Sequence, residues 1–191
     1  GYTVEAKLLE DKLSFEPAPA QSGNPKILAP VATPFSATGG LKLLSGNLGK
    51  SVIKVSAVKP EHRIVEAPAR IFHSQQGLQD AFRTGQLDGD VVAIVRFQGP
   101  RSVGMPELHK LTPTLGILQD RGFKVALLTD GRMSGASGKV PAAIHMTPEA
   151  SDGGAISKIR DGDMIRLDAD AGTLTFLGDE REFLSRTPAT E

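Results

Sequence analysis

The sequence predicts an α/β domain built on a mixed sheet or barrel flanked by helices, and three observations predict it. Short runs rich in apolar and β-branched residues recur from residue 50 onward. Two of them, 90–97 (DVVAIVRF) and 124–129, are apolar at nearly every position, as strands buried on both faces are, and a segment of helical spacing lies between them. Strand, helix, strand is a crossover unit and makes part of the sheet parallel. Further on, Asp161-Gly162-Asp163 and Asp170-Ala171-Gly172 punctuate two more runs into a hairpin, which requires antiparallel pairing as well.

The elements follow in order. Residues 1–10 mix apolar and charged side chains. Residues 11–34 then gather Pro17, Pro19, Pro25, Pro30 and Pro34 around Ser22 and Gly23, a composition expected to resist helix and sheet alike. We assign 1–33 to a proline-rich arm or inter-domain linker and 34–191 to the globular α/β domain, whose patterned body runs to about Arg186. A start without methionine, followed by such an arm, reads as a piece excised from a longer protein.

Residues 50–58 (KSVIKVSAV) and 64–72 are expected strands, with Pro68 directing the second to an edge or bend. Ser74 caps a helix carrying Leu78, Ala81 and Phe82, with Leu87 beyond, and Gly85 offers its stop. Leu108, Leu111, Leu115 and Leu118 define a helix over 107–121 that Gly122 ends and Pro113 must kink or restart. The hairpin runs 164–169 and 173–177, and 179–186 closes the chain as a short helix.

Bulk composition narrows the function. Basic and acidic residues number 22 each and are interspersed, so no basic excess supports nucleic-acid binding. The apolar runs are far too short to span a bilayer and the N-terminus has no signal-like core, so a soluble, cytoplasmic protein without membrane contact is expected. There is no cysteine, hence no disulfide and no thiolate for zinc or an iron–sulfur cluster. His62, His73, His109 and His145 are scattered without an HxxH or HxxxH pair, as ordinary surface or core histidines are.

Chemistry concentrates at 127–150, where an apolar run leads into a loop, 130–140, and then into a second apolar run. The loop holds Gly131, Gly135 and Gly138, residues able to adopt φ > 0, and between them Arg132, Ser134, Ser137 and Lys139. It is either a tight connection between strands or a cradle in which backbone, cations and hydroxyls hold an anion. The loop 98–109 follows the neighbouring expected strand, so the two loops face one another and Glu107 is expected near Ser134. Glu107, directly after Pro106, suits a first helical turn, as a capping carboxylate or as one presented to a metal ion. Ser134 is not the serine of a G-x-S-x-G elbow, since Arg132 stands two residues before it. As a base it needs a neighbouring cation or metal that favours its alkoxide; otherwise its role is loop hydrogen bonding.

The segments 45–58 (SGNLGKSVIKVSAV), 66–72 (EAPARIF), 95–111 (VRFQGPRSVGMPELHKL), 127–150 (LLTDGRMSGASGKVPAAIHMTPEA) and 160–169 (RDGDMIRLDA) together resemble the C-terminal part of the dehydratase family containing dihydroxy-acid dehydratase and 6-phosphogluconate dehydratase. Within it, 35–49 (FSATGGLKLLSGNLG), GMPELHK at 104–110 and the SGASGKVPAAIH form of the loop resemble the phosphogluconate branch. The resemblance implies a swivelling, barrel-like domain that closes over a cluster-bearing N-terminal domain of the same protein. It implies dehydration of 6-phospho-D-gluconate to 2-keto-3-deoxy-6-phosphogluconate in the Entner–Doudoroff route, with Ser134 as the alkoxide that removes the C2 proton and Glu107 as a ligand of Mg²⁺. It further implies an iron–sulfur cluster, of the 4Fe–4S type, ligated by the absent domain, and a homodimeric full-length enzyme.

A phosphorylated sugar acid needs cations and polar contacts. Arg132 and Lys139 are the nearest candidates in the loop, with Lys110 in the facing one and Asn47 between Gly46 and Gly49. Each has a plainer reading, as a solvated charge or, for Asn47, a turn residue. A chain without cysteine is expected to be inactive alone. Two alternatives stand beside this reading: a dihydroxy-acid or other sugar-acid dehydratase of the family, and a free-standing, non-catalytic domain that binds an anion or a partner through the same loops.

Overall fold

The structure is a computed structural model that describes residues 6–9, 12–15, 19–134 and 138–191. The chain divides into two compact units, Gly1–Gly39 and Gly40–Glu191. In the first, β1 (Ala6–Leu9) and β2 (Lys12–Phe15) pair antiparallel. The expectation that 11–34 avoids sheet is corrected here: β2 ends before the first proline, Pro17, so none of its residues lacks an N–H. From residue 19 on the unit consists of turns, with Asn24 accepting from the N–H groups of Ile27 and Leu28.

The second unit is a closed eight-stranded barrel in the order β10-β3-β4-β8-β7-β6-β5-β9. Its strands are β3 (Leu41–Gly46), β4 (Gly49–Lys54), β5 (Ile64–Phe72), β6 (Val91–Val95), β7 (Val125–Thr129), β8 (Ala142–Thr147), β9 (Met164–Asp168) and β10 (Thr173–Phe176). The run β5-β6-β7-β8 is parallel, and the hairpins β3-β4 and β9-β10 are antiparallel. The mixed-sheet expectation therefore holds.

Two apolar layers hold the barrel. Val92, Ile94, Ala126 and Leu128 point inward with Leu44, Ile53, Val65, Ile165 and Leu174. Their neighbours Val91, Ala93, Val95, Val125 and Leu127 point outward, beneath Leu78 and Ala81 of α1 (Gln75–Arg83) and Leu111, Leu115 and Leu118 of α2 (Leu111–Asp120). Burial on both faces is why β6 and β7 are apolar at almost every position. Ser74 caps α1 as expected, its hydroxyl accepting from the Gly77 N–H at 3.1 Å. Asp179 caps the short α3 (Glu180–Ser185) in the same way.

Pro68 is not at an edge. It lies where β5 changes partners, pairing with β9 through Pro68 and with β6 from Ala69 on, so its missing N–H interrupts neither ladder. The second helix also differs from expectation, beginning at Leu111 rather than Glu107. Pro113 then falls in its first turn, where an N–H would have no helical acceptor, and no kink is needed.

Candidate active site

Because β5 to β8 are parallel, the loops after β6 and β7 leave the barrel at the same end. Asp130, the first residue beyond β7, fastens them together. It is 1% exposed, and its carboxylate accepts from the N–H groups of Phe97 (3.2 Å), Gln98 (2.9 Å) and Ala150 (2.9 Å). Gly131 follows, so close to the first loop that a Cβ there would stand 2.7 Å from the Gln98 Cβ and 3.0 Å from the Leu108 Cδ1. The expected φ > 0 is not what requires glycine at 131; the lack of space is.

The close approach brings Glu107 onto the second loop, as the sequence predicts. Its neighbour Leu108 donates its N–H to the Arg132 carbonyl at 3.1 Å, and Glu107 and Arg132 form an isolated parallel bridge. That bridge replaces the expected helical turn at Glu107. One carboxylate oxygen, Oε1, accepts from the Ser134 backbone N–H, and Oε2 receives Arg132 Nη1 at 2.6 Å. Arg132 Nε donates to the Met105 carbonyl at 2.8 Å. Met105 has φ 61° and His145, whose N–H bonds to the Gly131 carbonyl, has φ 56°. Left-handed backbone at non-glycine residues costs on the order of 1–3 kcal/mol each and clusters at functional sites.

Beyond Arg132 the loop turns along the outer wall of the barrel. Met133, Ser134, Gly138, Val140, Ala142, Ile144 and Lys54 line a cleft of about 30 Å³. A pocket for a small-molecule ligand runs to roughly 300 Å³ and more, so this cleft by itself does not enclose one. Gly135 and Ser137 lie outside the described residues.

The other candidates have structural partners. Lys139 Nζ holds both carboxylate oxygens of Asp120, at 2.5 and 2.6 Å. Lys110 carries the N-terminal end of α2, its N–H bonded to the Gln75 side chain. Asn47, in the β3-β4 turn, donates to the Phe176 carbonyl at 3.0 Å and accepts from the Phe176 N–H at 2.8 Å, stitching that turn to β10. Of the sequence-predicted residues, the structure brings together Glu107, Arg132 and Ser134.

Sequence reasoning missed several polar groups at this end. A second cleft of about 190 Å³ is lined by Met105, Asp130, His145, Glu149 and Asp152 among others. Glu149 is 7% exposed; its Oε1 accepts from the Arg101 N–H, and its Oε2 has no hydrogen-bond partner among the described residues. Buried Arg96 donates Nε to His73 Nε2 at 3.2 Å and Nη1 to the carbonyls of Ser157 and Ile159. Partial burial, then the Arg96 charge, pushes the His73 pKa below its ordinary value, with Glu191 partly offsetting them. The one available signal was charge or amide directly after an apolar strand, as in Arg96-Phe97-Gln98 and Asp130.

The family described as "Dihydroxy-acid/6-phosphogluconate dehydratase C-terminal" matches residues 26–191. The chain belongs to this family. Phosphogluconate dehydratase of Rhizobium meliloti (strain 1021) is 60% identical over 98% of the chain, and that of Escherichia coli (strain K12) 54% identical over 98%. Dihydroxy-acid dehydratase of Clostridium beijerinckii is 41% identical over 85% of the chain. The chain spans about 31% of the length of the phosphogluconate dehydratases it matches.

The donor set can be tested against the groups expected of this dehydratase family. Glu107 offers hard oxygen beside the Ser134 loop, and the Arg132 guanidinium stands on its Oε2. Mg²⁺ takes one or two carboxylates and completes its shell with water and substrate oxygen, so Glu107 fits as one ligand. Among the described residues no three His, Cys, Asp or Glu side chains gather as a metal site, so the remaining ligands are not grouped here. An iron–sulfur cluster does not fit this chain, which has no cysteine. No helix among the described residues is long and apolar enough to cross a membrane.

Proposed function

We propose that the chain is the C-terminal part of a phosphogluconate dehydratase, a hydro-lyase that converts 6-phospho-D-gluconate to 2-keto-3-deoxy-6-phosphogluconate in the Entner–Doudoroff route. The observation that carries the site is the meeting of Glu107, Arg132 and Ser134 on two adjacent loops fastened by Asp130. The relatives at 54–60% identity are phosphogluconate dehydratases, which supports the substrate.

In this reading Ser134 Oγ takes the proton from C2, hydroxide leaves C3, and the resulting enol tautomerises to the keto acid. The proton count balances as one water lost. Glu107 would hold Mg²⁺, which when bound would lower the proton affinity of an oxygen beside it and so let a serine act as base. The Glu107–Ser134 N–H bond keeps the serine backbone beside that carboxylate. Arg132, held on Glu107, would supply positive charge for an anionic group of the substrate. Lys139 and Asn47 are proposed as further substrate contacts, although each would have to leave Asp120 or Phe176 to serve. Departure of hydroxide from C3 lies beyond these residues. The 4Fe–4S cluster expected by family resemblance would be ligated by the rest of the protein, a homodimer in the cytoplasm, without which this part is inactive.

The test is Ser134→Ala in the full-length protein with cluster content measured. Turnover is expected to fall by at least about 10²-fold with the cluster intact. Near-wild-type turnover would remove Ser134 as base, and activity on a dihydroxy acid but not on phosphogluconate would reassign the substrate.

A further inference from the structure

The carboxylate read as a metal ligand already holds a positive charge. Glu107 has both oxygens engaged, Oε1 by the Ser134 N–H and Oε2 by Arg132 Nη1 at 2.6 Å. Each carboxylate oxygen has a second lone pair, but a divalent cation on Oε2 would stand beside the Nη1 charge, and repulsion between the two sets them in competition. Arg132 is fitted for the exchange because it has a second anchor: Nε on the Met105 carbonyl at 2.8 Å does not depend on Glu107. Its backbone is fixed as well, by the Leu108 N–H on its carbonyl.

The strength of the pair suits a temporary partner. The Arg132 and Glu107 side chains are 49% and 29% exposed, so water screens the interaction. Such a pair orders the carboxylate beside Ser134 without holding it against a doubly charged competitor. A buried pair would hold too tightly, and a carboxylate with no partner would sample other rotamers and lose the Ser134 N–H.

We propose that Arg132 is a stand-in cation, occupying Glu107 while the divalent ion is away and competing with that ion for it. The proposal rests on reading Glu107 as a metal ligand. When the ion arrives, Nη1 is released while Nε stays on Met105, and the free arm of the fork is turned toward an anionic group, carboxylate or phosphate, beside the metal. Arg132 thereby acts as a positioning residue when the metal is absent and as an anion contact when it is present.

The experiment uses the full-length protein with Mn²⁺ alone as the probe, free Mn²⁺ being counted by its electron paramagnetic resonance signal. Arg132→Gln removes the competitor and is expected to tighten Mn²⁺ binding by about two- to fivefold, the range of an exposed ion pair. Arg132→Lys keeps a charge but cannot span Glu107 and Met105 together, so it should tighten binding by a smaller factor, and it carries the test if the glutamine variant fails to fold. Glu107→Gln should weaken binding. Unchanged or weaker Mn²⁺ affinity in the Arg132 variants, with Glu107→Gln weakened, overturns the competition alone. Unchanged affinity in Glu107→Gln removes the metal reading and the proposal with it.

Discussion

Replacing Asp130 by alanine should destabilise the barrel more than any other single polar change at this end. The carboxylate accepts three backbone hydrogen bonds from two chain segments while 1% exposed. A hydrogen bond to a charged group contributes roughly 1.5–3 kcal/mol, and truncation would leave three donors facing the void. The losses do not simply add, because Asp130 lines the 190 Å³ cleft and water can enter behind it. We therefore expect a loss of about 3–5 kcal/mol for Asp130→Ala. Asp130→Asn keeps one acceptor oxygen but turns an amide toward a backbone donor, and should fall between wild type and alanine. The assay is urea unfolding followed by far-ultraviolet circular dichroism, since the chain has no tryptophan and one tyrosine. An Asp130→Ala midpoint and slope that place it within about 1 kcal/mol of wild type would refute the fastening role.

Two further outcomes follow from partners already described. Asn47→Ala loses both bonds to Phe176 and should lower stability by about 1–3 kcal/mol in the same assay; an unchanged midpoint together with a raised KM in the full-length enzyme would instead mark a substrate contact. His73 is held below its ordinary pKa, so the folded state takes up its proton later than the unfolded chain does as pH falls. Its contribution is complete above 6.5, the unfolded value, and is lost as pH falls below it. Stability should therefore decline below that pH, and more steeply than in His73→Gln; equal slopes in the two proteins would refute the assignment.

How legible the molecule was in its sequence depended on what each face had to bury. Strands β6 and β7 were legible because both their faces are covered, and the β9-β10 hairpin because Gly172 and its acidic neighbours mark the turn. Strand β3 escaped notice: Leu41 and Leu43 are 64% and 61% exposed, so its outer face is as apolar as its inner one and no alternation appears. Closure into a barrel is a matter of pairing between residues far apart in sequence, such as Thr173 with Ser45, which local pattern cannot express. At the site, the neighbourhood of Glu107 and Ser134 followed from parallel strands alone. The partner of Arg132 did not, because a cation in a loop reads equally well as bound to substrate, to solvent or to a carboxylate from another loop. Asp130 was hidden for a similar reason: an aspartate before glycine signals a turn, and its three donors come from positions 97, 98 and 150.

The passage from β7 to β8 has a consequence for how such a site can open. Between β7 and β8 the described residues Met133, Ser134, Gly138 and Val140 lie along the flank of the barrel, beside Lys54, Ala142 and Ile144. Ser134 therefore stands against the flank of the barrel, beside the ends of β4 and β8. With Ser134 tied to Glu107, and Asp130 tying both loops to the strands, none of these groups can retreat without its neighbours. If the proposed site lies on this flank, access to it changes by moving the whole barrel, at the slower pace of a body rather than a loop.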